Sequence, residues 1–293
     1  MRLSRSTKMA DSFISNARKE FLENILEGLL FVNEDGVASN ADKHSKLSVN
    51  ISKGICDLIQ AEVRERHVGQ AAGKKFEDIT AAFLKKTFPR LSHIRPGSWD
   101  IHAVGARNRR SIADFEQYAH LTILDEASKA NPELAAALGS DYTITPDVVV
   151  VRNLVEEFTL NDGCEIADEY SARKTSLRRD NGGLPLLHAS ISTKWTMRSD
   201  RSQNSRTEAQ NLIRNRKGRA PHIVVVTGEP LPSRISSIAL GTGDIDCVYH
   251  FALNELIESV KRCGDEGSIS LLDVMTRGKR LKDISDLPFD LAC

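Results

Sequence analysis

The stretch Thr145-Pro146-Asp147-Val148-Val149-Val150-Val151 decides the fold of this chain. Its four consecutive valines form a run that is too short for a helix and is typical of a buried strand. A loosely alternating stretch over 186–194 predicts a second strand, and apolar stretches over 222–227 and 245–251 predict two more. A helical pattern over 205–216 lies between the second and third strands, and another over 252–263 follows the fourth. Buried strands that alternate with helices predict a domain built on a central mixed sheet.

The sequence upstream of these strands is predicted to be helical. Apolar residues recur at a four-residue spacing from Phe13 to Leu29, which places them on one face of a helix. Further helices are predicted over 51–66, 75–88 and 113–138. We therefore expect an α/β fold with a central mixed sheet flanked by helices and a helical N-terminal part. Since no repeat or low-complexity linker occurs, we expect a single domain over 1–293, with a flexible N-terminus over 1–12.

Composition excludes several classes of protein. The 293 residues carry 40 Lys+Arg and 40 Asp+Glu, so this is not a globally basic coat protein for nucleic acid. No apolar run approaches the roughly 18–20 residues that span a bilayer, and no apolar core follows the basic start as it would in a secretory signal. The five cysteines are scattered without a CxxC pair, which indicates reduced thiols. We expect a cytoplasmic protein that does not bind membranes.

Two positions at strand ends are candidates for chemistry. Asp147 leads directly into the valine strand, and Lys194 ends the next strand and is followed by Trp195. Each alone is more often a turn aspartate or a solvated lysine. Together they match the frame of the PD-(D/E)xK nucleases, in which acids hold Mg²⁺ and the lysine lies beside the attacked phosphate. The metal lowers the pKa of the attacking water, and the lysine adds positive charge near the same phosphate oxygens.

One position departs from that frame. The acid expected two residues before the lysine is replaced by Ser192, which cannot act as a strong Mg²⁺ ligand. Either the site is incomplete, or another acid supplies the missing carboxylate. Glu208, on the predicted helix just after the strand, is the nearest candidate.

A basic segment follows the candidate site. The window from Lys194 to Arg219 contains eight basic and two acidic residues, although the whole chain is neutral. A solvated basic helix explains its C-terminal end. It explains Arg198, Asp200 and Arg201 less well, because arginine pairs with the guanine edge and aspartate accepts from cytosine in the major groove. These residues therefore indicate local, sequence-directed DNA binding.

The run Ser192-Thr193-Lys194-Trp195-Thr196-Met197-Arg198-Ser199-Asp200-Arg201, with Glu208 behind it, resembles the CCGG family of type II (type IIF) restriction endonucleases. The similarity extends over most of the chain and is weakest in the first thirty residues and over 161–181. It implies two Mg²⁺ ions per active site. It also implies four catalytic residues, namely Asp147, Lys194, Glu208 and Glu77. Asp147 and the main-chain carbonyl of Thr193 would ligate the metal, with Glu208 and Glu77 acting through water.

The same resemblance implies how DNA is read. Arg198, Asp200 and Arg201 would contact the central CCGG. The outer base pair would be contacted by Arg234 and Asp42 in the major groove and by Gln70 in the minor groove. The implied target is the palindrome GCCGGC in double-stranded DNA, cut after the first G to leave a 5′ CCGG overhang. The implied assembly is a homotetramer, a dimer of dimers that binds two DNA copies.

Two alternatives stay open on the sequence alone. One is a non-cleaving DNA-binding protein on the same scaffold, which requires a defective metal site. The other is a metabolic α/β enzyme, but the chain lacks a nucleotide-binding motif. The glycines of Gly241-Thr242-Gly243 are not followed by the lysine of a phosphate-binding loop and indicate a turn.

Overall fold

The computed structural model describes residues 11–63, 72–104, 112–130, 145–197 and 199–293. Within them lies one six-stranded mixed sheet whose strands are neighbours in chain order. The first three strands pair antiparallel, and the third to sixth pair parallel. The strands are β1 (Trp99–Ala103), β2 (Val148–Arg152), β3 (Leu186–Lys194), β4 (His222–Thr227), β5 (Cys247–His250) and β6 (Leu281–Asp283). The α/β fold with a central mixed sheet is therefore confirmed.

Helices flank this sheet and form the N-terminal part of the chain. They are α1 (Phe13–Gly28), α2 (Lys46–Ile59), α3 (Ala72–Thr87), α4 (His120–Ala130), α5 (Glu157–Leu160), α6 (Ser199–Asn215), α7 (Pro232–Ala239), α8 (Leu253–Cys263), α9 (Glu266–Arg277) and α10 (Leu287–Leu291). Among the described helices, none has the length and apolar character needed to cross a membrane.

The valine run forms the centre of the core. Val148 to Val151 are at most 2% exposed, and β2 is paired on both edges, with β1 and β3. Helix α3 packs across β1, β2 and β3. Its Phe76 ring lies edge-on to the ring of Trp195, with centroids 5.2 Å apart. This packing fixes the end of β3 relative to α3, the helix that carries Glu77.

The predicted helix over 113–138 is wrong in its first part. The structure instead has two short 3-10 helices, Ile112–Asp114 and Glu116–Tyr118, before α4 begins. The Gln117 side chain exchanges two hydrogen bonds with the backbone of Leu187, at 2.7 and 3.0 Å. These contacts with β3 replace the local hydrogen bonds of a continuous helix. The remainder of the prediction, from 131, lies outside the described residues.

The second predicted helix has different ends from those expected. It begins at Lys46 instead of 51, because the Ser45 side chain caps it by accepting a hydrogen bond from the Ser48 N–H. It ends at Ile59, where Gln60 adopts a left-handed conformation with φ of 61°. The predicted continuation to Arg66 lies in part beyond the described residues.

The ends of β3 and β4 approach each other closely at Gly228. The carbonyl of Lys194 accepts hydrogen bonds from the Gly228 N–H at 3.1 Å and the Thr227 hydroxyl at 2.8 Å. A Cβ at Gly228 would lie 2.5 Å from the Trp195 ring and 2.9 Å from the Trp195 carbonyl oxygen. Only glycine therefore fits between these strand ends.

Gly228→Ala should lower the free energy of unfolding by about 1–3 kcal/mol, the usual cost of overpacking. The matched control is Gly73→Ala in α3, where no described atom lies within 4 Å of an added Cβ. That change should stabilise the helix slightly, since alanine is the better helix former. Urea unfolding of both variants measures the difference. Equal stability of the two variants would contradict the close approach of the two strand ends at Gly228.

Candidate functional site

Asp147 and Lys194 meet where β2 begins and β3 ends. Antiparallel pairing, with Val148 opposite Ile191, brings these two ends of the strands together. The Asp147 Oδ2 accepts a hydrogen bond from the Thr193 N–H at 2.7 Å and from the Lys194 Nζ at 3.0 Å. The two charged side chains are 24% and 16% exposed. The structure thus joins the two residues of the predicted nuclease frame in a half-buried ion pair.

The Ser192 side chain also faces this site, but its hydroxyl makes only long contacts there. Its hydroxyl is 3.5 Å from the Asp147 Oδ2 and 3.4 Å from the hydroxyl of Ser205 on α6. Ser205 is buried, and Glu208 follows one helical turn later on the same face of α6. Ser205 therefore brings this face of the helix to the strand position where a carboxylate is missing.

Glu208 lies in the electrostatic field of the ion pair. Burial raises the pKa of its carboxyl group, the Lys194 charge lowers it, and the Asp147 charge raises it further. Together these effects raise the pKa of Glu208 above its ordinary value. The Glu208 carboxylate is therefore less stable in its charged form than an exposed glutamate would be.

Glu77 faces the same site from α3. Its carboxylate is 3.4 Å from the Lys74 Nζ, and the side chain is only 19% exposed. Burial raises the pKa of Glu77 most, and the negative charge of Asp147 raises it further. Glu208, proposed from its position in the sequence, and Glu77, which only the family resemblance indicated, are thus both within the electrostatic influence of Asp147.

The donor set matches a hard divalent cation in chemical type. Carboxylate and backbone carbonyl oxygens are the ligands that Mg²⁺ and Ca²⁺ prefer, and neither histidine nor cysteine contributes to the site. Over the described ranges, however, no group of three or more His, Cys, Asp or Glu side chains is close enough to hold a metal by itself. A cation at this site would therefore need ligands besides these side chains.

The predicted base-reading residues are described only in part. Arg234 on α7 forms an ion pair with Asp42, and this hydrogen bond lowers the pKa of the Asp42 carboxyl group. Gln70 and Arg198 lie outside the described residues. Asp200 and Arg201 fall in the first turn of α6, but their side chains also lie outside what is described. The structure thus brings together the two residues expected at the outer base pair.

The sequence did not single out Glu229, which lies beside these residues. Its side chain is 0% exposed, and burial raises the pKa of the carboxyl group. The Met197 and Leu231 N–H groups donate to it, at 2.8 and 3.2 Å. In the sequence it looks like an ordinary loop acid after a strand. The signal that could have indicated it is weak: a glycine and an acid at the end of an apolar strand.

Comparison with known proteins identifies the family. Residues 20–293 match the model of the NgoMIV restriction enzyme family. The type II restriction enzyme NgoMIV of Neisseria gonorrhoeae is 58% identical over 277 residues, which cover 94% of this chain and 97% of that protein. A solved complex of the restriction endonuclease PspGI with substrate DNA covers 85% of this chain and 95% of its own, at 17% identity and a TM-score of 0.28.

The structural match is too remote to support an argument about function, so the assignment depends on the sequence matches. The family model covers most of the chain, and the relative is similar over nearly its full length. The chain therefore belongs to the NgoMIV restriction enzyme family of type II restriction endonucleases.

Proposed function

We propose that this restriction endonuclease cuts both strands of DNA at GCCGGC, after the first G, and leaves a 5′ CCGG overhang. Restriction endonucleases generally use a divalent metal, and we propose that this one uses two Mg²⁺ ions per active site. The observation that carries the proposal is the ion pair between Asp147 and Lys194 at 3.0 Å, inside a chain 58% identical to a type II restriction enzyme.

The metal would be held by Asp147 and the main-chain carbonyl of Thr193, with Glu208 and Glu77 acting through water. When bound, Mg²⁺ acidifies the attacking water and neutralises charge that develops on the phosphate. Burial raises the pKa of both Glu77 and Glu208, and the Asp147 charge adds to it; a cation bound beside them would favour their charged forms, which supports this assignment.

Lys194 would act on the phosphate directly. Its Nζ is held 3.0 Å from Asp147, and the Thr193 N–H fixes the same carboxylate oxygen at 2.7 Å. The ammonium group is therefore oriented before DNA arrives. A fixed positive charge beside the phosphate oxygens stabilises the transition state without a reorganisation cost at the moment of reaction.

Glu208 would replace the carboxylate that is missing at Ser192. The hydroxyl contact between Ser192 and Ser205 brings α6 against the end of β3, one turn before Glu208. A metal responds to the position and charge of its ligands and not to their order in the chain. An acid contributed by a helix can therefore do what the strand acid does in the common frame.

Base recognition would be divided between two groups of side chains. Arg198, Asp200 and Arg201 read the central CCGG. The ion pair of Asp42 and Arg234 suits an outer G·C pair, because guanine presents acceptors to arginine beside the amino donor that cytosine offers to aspartate. Gln70 would probe the same base pair from the minor groove.

The proposed assembly is a homotetramer. A palindrome cut on both strands requires two active sites related by a twofold axis, so a dimer is the minimum. A contact between two dimers is supported by the segment between β2 and β3, where the apolar side chains of Phe158, Ile166 and Tyr170 are 79%, 64% and 79% exposed.

Since the substrate is DNA and all five cysteines are free, we infer a location in the cytoplasm of a prokaryotic cell.

The site and overhang can be tested on one sequenced plasmid. With Mg²⁺, the ends should map after the first G of every GCCGGC and carry the 5′ CCGG overhang. Addition of a chelator should stop cleavage, because the chemistry depends on the metal. Cleavage at other sites would contradict the proposed specificity. Specific binding without metal-dependent cleavage would favour the non-cleaving alternative.

The relocated acid can be tested with Glu208→Gln. This variant should lose cleavage about as severely as Asp147→Ala, by roughly a thousandfold or more, because metal assistance contributes several kcal/mol. The matched control is Ser192→Ala, which removes only hydroxyl contacts of 3.4 and 3.5 Å and should keep most activity. An inactive Ser192→Ala beside an active Glu208→Gln would show that the wrong residue has been assigned.

The same variant should be more stable than the wild type at neutral pH. Because the folded-state pKa of Glu208 is raised, the folded state binds a proton more readily than the unfolded chain. The stability of the wild type therefore falls as pH rises from the unfolded-state pKa of Glu208 through its folded-state pKa. Glutamine lacks this dependence, so the difference in melting temperature should shrink towards acid pH. A destabilised Glu208→Gln would indicate a structural role.

Assembly can be tested by sedimentation and by cleavage of plasmids with one and two sites. If two DNA copies must be bound, the two-site plasmid should be cut faster, and short duplexes bearing the site should accelerate cleavage of the single-site plasmid. Phe158→Ser with Tyr170→Ser should yield dimers, whereas the control Ile123→Ser, at a side chain 68% exposed on α4, should not. A wild-type dimer that cuts both plasmids equally fast would refute the tetramer.

A further inference from the structure

A buried carboxylate lies between the two groups of base-reading residues. Glu229 is 0% exposed, and its Oε2 accepts from the Met197 N–H at 2.8 Å while its Oε1 accepts from the Leu231 N–H at 3.2 Å. The only described cation near it is Arg234, whose Nη1 is 3.7 Å from Oε2. A fully buried carboxylate with so few partners is costly to maintain.

Each contact of Glu229 leads to a different base-reading segment. Met197 directly precedes Arg198, the first residue expected to read the central bases. Leu231 is the N-cap residue of α7, the helix that carries Arg234. The carboxylate therefore bridges the end of β3 and the start of α7.

The segment that carries Asp42 is joined to the same place. The buried Asn40 donates from its Nδ2 to the Gly228 carbonyl at 2.7 Å and accepts a hydrogen bond from the Ser52 hydroxyl on α2. Asp42 itself pairs with Arg234. Three segments distant in sequence thus converge on residues 228 and 229.

We propose that Glu229 is a positioning residue for base recognition, which sets the central-base segment 197–201 and the outer-base pair of Arg234 and Asp42 in fixed relative positions. The proposal rests on the base-reading roles proposed above. Glu229 would not contact DNA, because its side chain is fully buried. It would act on the bases only through the backbone of Met197 and through α7.

The carboxylate is suited to this role because both of its oxygens accept. Glutamine has nearly the same shape but replaces one oxygen by an NH2 group, which only donates. In Glu229→Gln that amide must face either the Leu231 N–H or the Met197 N–H and the nearby Arg234. One hydrogen bond is therefore lost and two donors face each other, so at least one base-reading segment must shift.

Binding ratios separate positioning from simple stabilisation. We would measure Kd for duplexes bearing GCCGGC, an outer-pair variant (ACCGGT) and a central variant (GCATGC), with Ca²⁺ in place of Mg²⁺ to prevent cleavage. Glu229→Gln should reduce discrimination at both positions, by about tenfold or more, since a bidentate base contact contributes on that scale. Arg234→Ala should reduce it chiefly at the outer pair.

The matched control is Asp283→Asn. Asp283 is also a buried carboxylate that accepts a backbone N–H, from Leu253 at 3.1 Å, and pairs with an arginine, Arg18, at 2.8 Å. Its loss should lower the melting temperature without changing the Kd ratios. Glu229→Gln with wild-type ratios, whatever its stability, would overturn the proposal.

A second measurement applies if Glu229→Gln does not fold. Glu229→Asp keeps the charge but shortens the side chain, and it should also lose discrimination. In a double-mutant cycle of Arg201→Ala and Arg234→Ala in the wild-type background, the fold-increase in Kd of the double variant should differ by at least about threefold from the product of the two single increases. Agreement with that product would overturn the proposal. A wild type that does not prefer GCCGGC would instead refute the proposed function.

Discussion

The structure of the site depends on one carboxylate, that of Asp147. Its Oδ2 receives the Thr193 N–H at 2.7 Å and the Lys194 ammonium at 3.0 Å, so one atom aligns the start of β2 with the end of β3. The alignment is transmitted along the sheet, because the Lys194 carbonyl accepts from Thr227 and Gly228 at the end of β4. The acid that would bind the metal is thus also a structural link between adjacent strands.

This arrangement has a cost in stability. Burial raises the pKa of both Glu77 and Glu208, and the negative charge of Asp147 raises it further, so the charged forms of these two acids are disfavoured here. Glu229, beside Arg234, is a further carboxylate that is fully buried. Proteins commonly retain such unfavourable charges at sites where activity requires them. A bound cation would offset the repulsion, so binding and folding would be coupled at this site.

The sequence predicted the inner strands well and the edges poorly. The boundaries of β3 and β4 agree with the prediction. β4 is an apolar run, as expected of a parallel strand paired on both sides, whereas β3 is recognisable from its loose alternation. The edge strands β1 and β6 were not predicted, since they are short and only partly buried. Asp147 and Lys194 followed from strand positions, whereas Glu77, Asp42 and Arg234 came only from resemblance. Glu229 depends on tertiary contacts that no local pattern encodes.

A crystal structure of the protein bound to a GCCGGC duplex and Mn²⁺ tests the central claim most directly. Anomalous scattering locates Mn²⁺, which accepts the same oxygen ligands as Mg²⁺. We expect a peak that contacts the Asp147 carboxylate and the Thr193 carbonyl, with the Glu208 carboxylate facing it and Ser192 outside the coordination shell. A peak that contacts neither Asp147 nor Thr193, or a Glu208 side chain turned away from the metal, would contradict the account.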